Sequence, residues 1–228
     1  MIPVQRLLYK LDMKLNKIAS NEHQSISDPN KILALNEAQL KLIKQKAESF
    51  DAIKSVYKDL QILVLPNTEL NTTFKNGIYK AYEVDLDSLN PEFYLILESS
   101  ALASKDGCKD RALYISKVIK HGDIYTVMSN SNTSPSFEYQ ETVATISNGK
   151  MLVYTDGTFQ VDKVYVTYVR YPQKIDVEGY IHFDGTPSTN VDCELYDELE
   201  DELLTLAVLE LAINTENTPL VQMVASKK

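Results

Sequence analysis

Tryptophan is absent from this chain of 228 residues, and cysteine and histidine are scarce. The two cysteines, Cys108 and Cys193, lie far apart and outside any Cys-x-x-Cys pair, so we expect free thiols and no disulfide framework. The three histidines, His23, His121 and His182, are scattered along the chain. Because zinc and iron sites are built from clustered histidines and cysteines, we expect neither a metal nor another cofactor.

Long hydrophobic runs are lacking as well. The longest uncharged apolar run, LQILVLP, is far shorter than the ~20 residues that cross a bilayer. The first residues, MIPVQRLLYKLDMKLNK, are amphipathic and lack the continuous apolar stretch of a signal peptide. The chain also contains no GxGxxG, GxxxxGKS/T, HExxH or GxSxG motif. These absences predict a protein that has no membrane partner and is not an enzyme.

Basic residues are missing from one long part of the chain. Residues 175–226 contain no lysine or arginine and twelve acidic residues, whereas residues 1–60 carry ten basic and seven acidic ones. The whole chain has a net charge of −9. Binding to DNA depends on basic side chains that neutralise phosphates. The acidic part is therefore expected to form a solvated face or a surface that must not hold nucleic acid.

The two ends of the chain have the pattern of helices. Apolar residues recur at three- and four-residue spacing over about 3–20, which predicts one helix. Asp28 followed by Pro29 is a start signal for a second helix. A third helical stretch, or a continuation, covers FDAIKSVYKDLQILVL and stops at Pro66. Helical spacing returns over 195–217, which predicts a C-terminal helix.

The middle of the chain has a different composition. All seven glycines lie between Gly77 and Gly185, and eleven of the fourteen tyrosines lie between Tyr79 and Tyr180. Short runs rich in Tyr, Val and Ile alternate with turn residues: GIYKAYEVDL, EFYLILESSAL, ALYISKVI, IYTVMS, TVATIS, KMLVYTDG and VDKVYVTYVRYP. Runs of this length and composition predict an antiparallel β region.

The last of these runs has two largely apolar or aromatic faces. One face consists of Val164, Val166 and Tyr168, and the other of Tyr165, Thr167, Val169 and Tyr171. We therefore predict a central strand that is covered on both sides. Pro172 should end it, because proline cannot donate a hydrogen bond to a neighbouring strand.

An acidic run opens the predicted C-terminal helix. Between Asp192 and Leu204 the chain reads DCELYDELEDELL, in which seven of thirteen residues are acidic and none is basic. On a helix, the apolar residues Leu195, Leu199, Leu203, Leu206 and Ile213 share one arc, and the acidic residues Asp197, Glu198, Asp201 and Glu202 share another. The second half, LLTLAVLELAI, is apolar nearly all round. It should be buried by its own domain or by neighbouring subunits.

The acidic run allows several interpretations. A metal site needs carboxylates that converge with histidine or backbone oxygens, and an EF-hand needs a D-x-D-x-D-G loop; neither pattern is present. A glycosidase needs two acids that face each other across a cleft, which neighbours on one helix do not do. Two interpretations stay open: a solvated helix face with acids near the positive end of the helix dipole, and an acidic surface with a function.

Cys108 is the one candidate nucleophile. It lies in SKDGCKDR beside Lys109 and Arg111, basic neighbours of the kind that activate a thiol, and His121 follows thirteen residues later. A Cys–His pair is conceivable there, but the plainer interpretation is a small residue in a β turn. Cys193 is predicted to be a buried apolar residue.

Two surface patterns have a binding alternative. The basic residues of the first predicted helix, Arg6, Lys10, Lys14 and Lys17, recur at helical spacing and could contact nucleic acid. Asp12 interrupts them, so a solvated amphipathic face is favoured. The tyrosines of the β region could form a carbohydrate platform, although tyrosines at strand spacing more often lie in a core or an interface.

The last part of the chain resembles a known family. It combines a tyrosine-rich strand, VYVTYVRYPQKID, a turn-rich stretch, VEGYIHFDGTPSTNVD, and a helical segment, CELYDELEDELLTLAVLELAI. This combination resembles structural proteins of tailed bacteriophages, above all the ring and connector components of crAss-like phages. The matching positions are Tyr168, Arg170, Tyr171 and Pro172 at the strand end, and Cys193, Glu194 and Leu195 at the helix start. The family often has a proline soon after Glu-Leu, where this chain has Tyr196.

The resemblance implies a structural subunit of a head-to-tail connector and no catalysis. About twelve copies would form a closed ring below the portal protein, in contact with other connector and tail ring proteins. Genomic DNA would pass through the channel without specific binding. Asp197, Glu198, Asp201 and Glu202 would repel that DNA, and Leu203, Leu206, Leu209 and Ile213 would pack against neighbouring copies. The protein would occur in the virion and, during assembly, in the host cytoplasm.

The sequence thus predicts an α+β protein in four parts. These are an N-terminal helical segment (1–70), a β-rich domain inserted after it (75–190), a C-terminal helix that packs with the helical part (191–218) and a flexible tail (219–228). The predicted function is the connector ring. Two alternatives remain: a tail or accessory module that recognises a glycan or a host surface partner through its tyrosines, and an enzyme that uses Cys108 and His121.

Overall fold

The chain divides into two compact units. The computed structural model describes residues 1–18, 26–48 and 55–214. A helical unit consists of Met1–Leu63 and Pro172–Lys228, and a β unit consists of Val64–Tyr171. The predicted mixed α+β class is confirmed. The predicted flexible tail, 219–228, lies outside the described residues.

Four of the five described helices belong to the helical unit. The helices are α1 (Val4–Ile18), α2 (Asp28–Glu48), α3 (Ser55–Leu60), α4 (Ile124–Ser129) and α5 (Glu200–Asn214), of which α4 lies in the β unit. α2 begins at Asp28, where the Asp-Pro signal predicts a start. A single 3₁₀ turn, Asp197–Leu199, leads into α5. α5 packs against both α1 and α2, which places it in the core of this unit.

The seven strands of the β unit close into a barrel. They are β1 (Val64–Asn76), β2 (Lys80–Asp85), β3 (Phe93–Ser104), β4 (Arg111–Val118), β5 (Glu141–Ser147), β6 (Lys150–Tyr154) and β7 (Gln160–Arg170). Their order is β1-β2-β6-β5-β4-β3-β7, and β7 returns to pair with β1. All neighbouring strands are antiparallel except β4 and β5, which are parallel. Closure leaves the barrel without a full-length free edge strand.

The barrel corrects the simpler prediction of an antiparallel β insertion. Closure depends on β1, which the sequence does not mark because its composition is largely polar and it contains Pro66. The register between β1 and β7 shifts between Leu65 and Thr68, and this bulge takes up Pro66 and Asn67. A bulge can hold a proline because its residue does not have to donate to the neighbouring strand.

β7 is the central strand that its two apolar faces predict. It pairs with β1 along one edge and with β3 along the other. Val164, Val166 and Tyr168 point into the barrel core and are fully buried. Burial of a side chain of this size contributes roughly 1.5–3 kcal/mol. The opposite face is covered less than predicted, since Tyr165 and Thr167 stay partly exposed.

The stretch IYTVMS is a helix, α4, and not the predicted strand. Ile124, Val127 and Met128 have the spacing of one helix face. These three side chains pack on a small apolar cluster around Val143 and Tyr154, on the outside of the barrel core. Contact with the barrel therefore outweighs the strand propensity of isoleucine, tyrosine and valine in a run of only six residues.

The unit boundaries differ from the predicted ranges. α3 ends at Leu60 and Val64 already belongs to β1, so the third helix does not continue to Pro66. The β unit covers Val64–Tyr171 in place of 75–190, because residues 172–192 form isolated bridges within the helical unit and no strand of the barrel. None of the helices in the described ranges combines the length and hydropathy that a membrane-spanning segment requires.

Candidate functional site

The acidic run does not form one helix from Leu195 as predicted: Asp197 and Glu198 lie on the 3₁₀ turn, and α5 begins only at Glu200. The acidic side chains lie at the surface beside the other helices of their unit. Leu195, Leu199 and Leu203 are buried beneath them, as the apolar arc predicts. Arg6, Lys10 and Lys14 of α1 follow the acidic residues along α5 in the same chain direction. The predicted solvated basic face of α1 and the acidic face of α5 are thus two halves of one contact.

Each of the four acidic residues that the sequence singles out has a basic partner. The pairs are Arg6 with Asp197 (3.2 Å), Lys58 with Glu198 (2.8 Å), Lys14 with Asp201 (2.6 Å) and Lys46 with Glu202 (2.9 Å). Glu200, which is nearly buried, takes both Arg6 (2.9 Å) and Lys10 (2.7 Å). The carboxylates are therefore paired within the unit, and the side chains of Asp197, Glu198, Asp201 and Glu202 stay 53–87% exposed.

The pKa values of these groups shift in the directions that ion pairing requires. The hydrogen bond to Glu200 is the main reason that the pKa of Arg6 lies above its usual value. The hydrogen bond to Glu198 raises the pKa of Lys58, and Lys14 lowers the pKa of Asp201. All three shifts favour the charged forms, so the pairs persist at neutral pH.

The predicted packing face of α5 is buried by its own chain. Leu203 and Leu206 are buried, Leu209 is half-buried, and the side chain of Ile213 lies outside the described residues. α1 and α2 supply the cover. A helix that is apolar nearly all round therefore finds its neighbours within the helical unit, and α5 does not need sister copies to bury it.

The residues that carry the family resemblance make scaffold contacts. The hydroxyl of Tyr168 donates to the carbonyl of Pro91 at 2.9 Å, and the ring of Tyr171 meets the edge of Tyr94 at 5.0 Å. The guanidinium of Arg170 donates to the carbonyl of Tyr171. These contacts hold the end of β7 in place, directly before the chain leaves the barrel at Pro172.

The helix-start motif ties the two ends of the helical unit together. The backbone of Cys193 exchanges two hydrogen bonds with Ile2, at 2.8 and 3.0 Å. Asp192 accepts a hydrogen bond from the amide of Val4, the first residue of α1. Leu195 is fully buried, and the carboxylate of Glu194 accepts from the amide of Gln173 at 2.8 Å. Burial raises the pKa of the Cys193 thiol to about 11, which keeps it protonated.

The structure does not bring Cys108 and His121 together as a catalytic pair. Cys108 is exposed and lies in a turn, in which its backbone amide donates a hydrogen bond to the carbonyl of Lys105 at 2.9 Å. His121 opens the 3₁₀ turn before α4. Across the described residues no hydrogen bond joins these two side chains, and no group of three or more histidine, cysteine or acidic side chains is placed to hold a metal ion.

A rigid hairpin of residues 176–191, here called the Asp176 hairpin, was not predicted. Asp176 and Val191 exchange backbone hydrogen bonds at its base, and the amide of His182 bonds to the carbonyl of Thr186 near its tip. Gly185 closes the tip turn with φ of 84°, a conformation that favours glycine. The sequence signal for this hairpin is the DG pair in IHFDGT. The signal is weak because apolar and polar residues do not alternate regularly on either side of it.

The carboxylate of Asp176 organises this hairpin. It accepts hydrogen bonds from the hydroxyl of Tyr180 (2.6 Å), the amides of Val177 (2.9 Å) and Thr189 (3.0 Å), and His182 Nε2 (3.1 Å). Burial opposes the charged form, but these bonds together hold the pKa of Asp176 below its usual value. Burial, followed by the bond to Asp176, raises the pKa of Tyr180 to about 12.

The tip of the Asp176 hairpin carries two apolar side chains into solvent. Phe183 is fully exposed and Ile181 is 73% exposed. Asp184 beside them accepts hydrogen bonds from the amide and hydroxyl of Thr186, at 2.9 and 2.6 Å. A tip whose backbone is fixed on both sides of an exposed phenylalanine loses little entropy when that side chain binds a partner.

The barrel has an apolar groove between β3 and β4. These strands pair only where Ser100–Ala103 faces Arg111–Tyr114. Beyond Tyr114, β4 pairs in parallel with β5. The first residues of β3 pair only with β7, so the two strands separate there. The space between them is about 410 Å³ and is lined by Phe93–Leu97, Ile115, Val118 and Ile146, with Glu98 and Lys117 on its walls. We call it the β3–β4 groove.

The β3 wall of this groove does not alternate as a regular strand does. Every residue of Phe93–Leu97 is partly exposed. The register against β7 shifts twice, between Phe93 and Leu95 and between Ile96 and Glu98. These bulges turn successive apolar side chains toward the groove, which a strand with a period of two cannot do.

Three tyrosines stand on the outer surface of the barrel. Tyr114, Tyr125 and Tyr139 are all largely exposed, the last two more than 70%.

Comparison with protein-family models finds no matching family, and comparison with curated protein sequences finds no matching relative.

Proposed function

We propose that this protein is a structural subunit of a virion head-to-tail connector, in which about twelve copies form a ring below the portal protein. The channel of the ring passes the genomic DNA. The family resemblance of the strand end and the helix start supports this proposal. The residues of those motifs make scaffold contacts, in keeping with a structural role.

The observation that carries the proposal is the apolar surface that the fold leaves exposed. Phe183 and Ile181 project from the Asp176 hairpin, and the β3–β4 groove opens an apolar recess in the barrel. Neighbouring apolar side chains that stay exposed together are typical of contact surfaces between proteins. The hairpin and the barrel groove are therefore two surfaces suited to contact between copies.

The structure changes two parts of the sequence-based proposal. Contact between copies does not use Leu203 and Leu206, because α1 and α2 already cover them. Asp197, Glu198, Asp201 and Glu202 have basic partners within the helical unit and stay 53–87% exposed, so the proposed DNA-repelling face is a partly neutralised one. The net charge of −9 still disfavours tight binding of the phosphate backbone by the protein as a whole.

Negative-stain imaging of the purified protein tests this function. We expect closed rings with a central opening, either from the protein alone at high concentration or after mixing with the portal protein. Particles that stay monomeric in both samples, with mass photometry in agreement, would contradict the proposal.

The exposed tyrosines favour a second candidate, a binding module of the tail. Tyr125 and Tyr139 offer amphipathic rings of the kind that contact sugars or a protein surface. A glycan array separates the two candidates, since a connector subunit should bind no glycan. A specific signal that disappears in Tyr125→Ala or Tyr139→Ala would favour the binding module over the ring.

A further inference from the structure

We propose that the tip of the Asp176 hairpin of one copy inserts Phe183 and Ile181 into the β3–β4 groove of the next copy. The inference rests on the proposed ring function and names the contact that would build the ring. Its occupant is a second copy of this chain, because the chain itself carries both an exposed apolar projection and an exposed apolar recess.

The projection is prepared for binding. Asp176 receives four hydrogen bonds from within the hairpin, and Asp184 fixes the turn that follows Phe183. The side chains at the tip are thus held in place before they meet a partner. A preorganised aromatic side chain that enters a recess is the usual form of an interaction hot spot.

The recess has a matching size and surface. Its volume of about 410 Å³ lies within the ~300–1,000 Å³ of typical binding pockets, which is enough for an aromatic and an aliphatic side chain together. Leu95, Ile115 and Ile146 are among the apolar side chains that line it. The hydrophobic effect therefore favours transfer of both tip side chains from water into the groove.

Charge sets the orientation of the contact. The Asp176 hairpin is acidic and contains no lysine or arginine, and Asp184 directly follows Phe183. Lys117 stands on the β4 wall of the groove and, within the described ranges, has no ion-pair partner. Glu98 stands on the β3 wall, so Asp184 is attracted to one wall and repelled by the other.

The proposed contact joins two different surfaces of the chain. The hairpin and the groove share no residue, so each copy can give its hairpin to one neighbour and its groove to another. A heterologous contact of this kind repeats around an axis and closes into a ring if the rotation between copies allows it. If two copies make the contact reciprocally, a two-fold dimer results instead, and imaging distinguishes the dimer from the ring.

The first experiment compares the assembly of the wild type and two variants by mass photometry and negative-stain imaging. Phe183→Glu places a charge at the tip and should weaken assembly roughly 10- to 100-fold in protein concentration. Ile78→Glu is the matched control, because Ile78 is equally exposed at a position outside the groove, and it should assemble as the wild type does. Far-UV circular dichroism checks that all variants are folded.

The second experiment reverses the proposed ion pair. Asp184→Lys alone should weaken assembly, and Asp184→Lys combined with Lys117→Asp should restore it, which a purely structural effect of either change does not explain. In a Cys108→Ser background, Phe183→Cys with Val118→Cys should form disulfides between chains. Phe183→Cys with Ile78→Cys should not.

The outcomes separate this contact from the function on which it rests. Rings that form equally well with Phe183→Glu, or a disulfide that stays within a single chain, overturn the contact and leave the ring function standing. A wild-type protein that remains monomeric alone and with portal protein overturns both. Assembly lost in Phe183→Glu, kept in Ile78→Glu and restored by the charge reversal supports the contact.

Discussion

At the scale of single residues, Glu200 connects two helices by charge. Its nearly buried carboxylate receives Arg6 and Lys10 at the same time, and these two cations lie close enough to repel each other without it. The neighbouring acid Glu202 makes a more exposed pair with Lys46. Glu200 and Glu202 are thus the same residue type in ion pairs of different burial, and comparing them isolates the effect of burial.

Replacement of Glu200 by glutamine should destabilise the helical unit more than the same change at Glu202. Glu200→Gln removes the charge between two cations and should lower the free energy of unfolding by about 1–3 kcal/mol. Glu202→Gln loses an exposed pair, which is worth less than about 1 kcal/mol. Urea unfolding followed by circular dichroism at 222 nm measures both. Equal losses would show that burial does not set the contribution of these pairs.

The two cysteines should react at very different rates. Cys108 is exposed, whereas Cys193 is buried and its pKa is raised to about 11. A disulfide reagent at pH 8 should modify one thiol of the folded protein quickly, and the second only after addition of denaturant. Peptide mapping identifies the labelled residue. Rapid labelling of Cys193 in the native protein would be incompatible with the backbone bridge to Ile2.

At the scale of elements, the Asp176 hairpin depends on one carboxylate. Because the pKa of Asp176 is below its usual 3.8 in the folded protein, the hairpin gains stability above that pH. This stability is lost as the pH falls through the lowered pKa. The hairpin should thus be ordered at neutral pH and loosen only in strong acid.

Asp176→Asn should loosen the hairpin at neutral pH without unfolding the unit. An amide oxygen cannot take all four donors, and the loss should be about 1–3 kcal/mol. Hydrogen exchange of the amides of Val177 and Thr189 should speed up, and Glu178→Gln, an exposed change on the same hairpin, should leave it unchanged. Unchanged exchange in Asp176→Asn would mean that the backbone bridges alone hold the hairpin.

Helix α5 should behave as the core of one chain. Leu203→Ala should lower the free energy of unfolding by about 2–5 kcal/mol, and Leu209→Ala, at a half-buried position, by less. In a Phe183→Glu background, which should not assemble, the unfolding midpoint of both variants should be independent of protein concentration, because the cover of α5 comes from α1 and α2 of the same chain. A midpoint that rises with concentration would instead indicate that other copies bury α5.

The predictable elements are those whose local pattern decides their structure. α1, α2 and β7 are marked by the spacing of their apolar residues and appear close to their predicted places, whereas α5 is apolar nearly all round and begins at Glu200, later than the predicted 195. β1 and α4 were missed because their structure depends on contacts with the barrel: β1 is polar and bulged, and α4 is short and rich in β-forming residues. Local patterns carry no information about such contacts.

The candidate site was less predictable than the fold. The sequence marks the acids of α5 and the bases of α1 separately, since their matching spacing becomes meaningful only when the two helices are known to be neighbours. The role of Asp176 depends on donors up to thirteen residues away, and the β3–β4 groove on bulges and on the parallel partner of β4. Apolar patterning predicts none of these.

At the scale of the whole molecule, the barrel is a single continuous insertion in the sequence of the helical unit. The chain enters it at Val64 and leaves after Arg170, and Val64 pairs with Val169 across the β1–β7 ladder. The entry and exit of the barrel are therefore neighbours. A short linker can span the gap between them.

Replacement of Val64–Tyr171 by a flexible glycine-serine linker should leave a folded helical protein. The contacts of α5 with α1 and α2, the ion pairs and the Ile2–Cys193 bridge all lie outside the barrel. Circular dichroism should show a helical spectrum and cooperative thermal unfolding. Addition of Leu203→Ala to the shortened chain should lower its midpoint, and an already disordered shortened chain would contradict the independence of the unit.

The division of the helical unit into two distant pieces of sequence determines when it can form on the ribosome. The barrel has all its strands once residue 171 has emerged, whereas α1 and α2 wait for α5. Translation at ~5–20 residues per second makes this wait last on the order of ten seconds or more. During that interval the nascent chain displays the bare apolar sides of its first two helices, which makes this stage the one at which a chaperone is most needed.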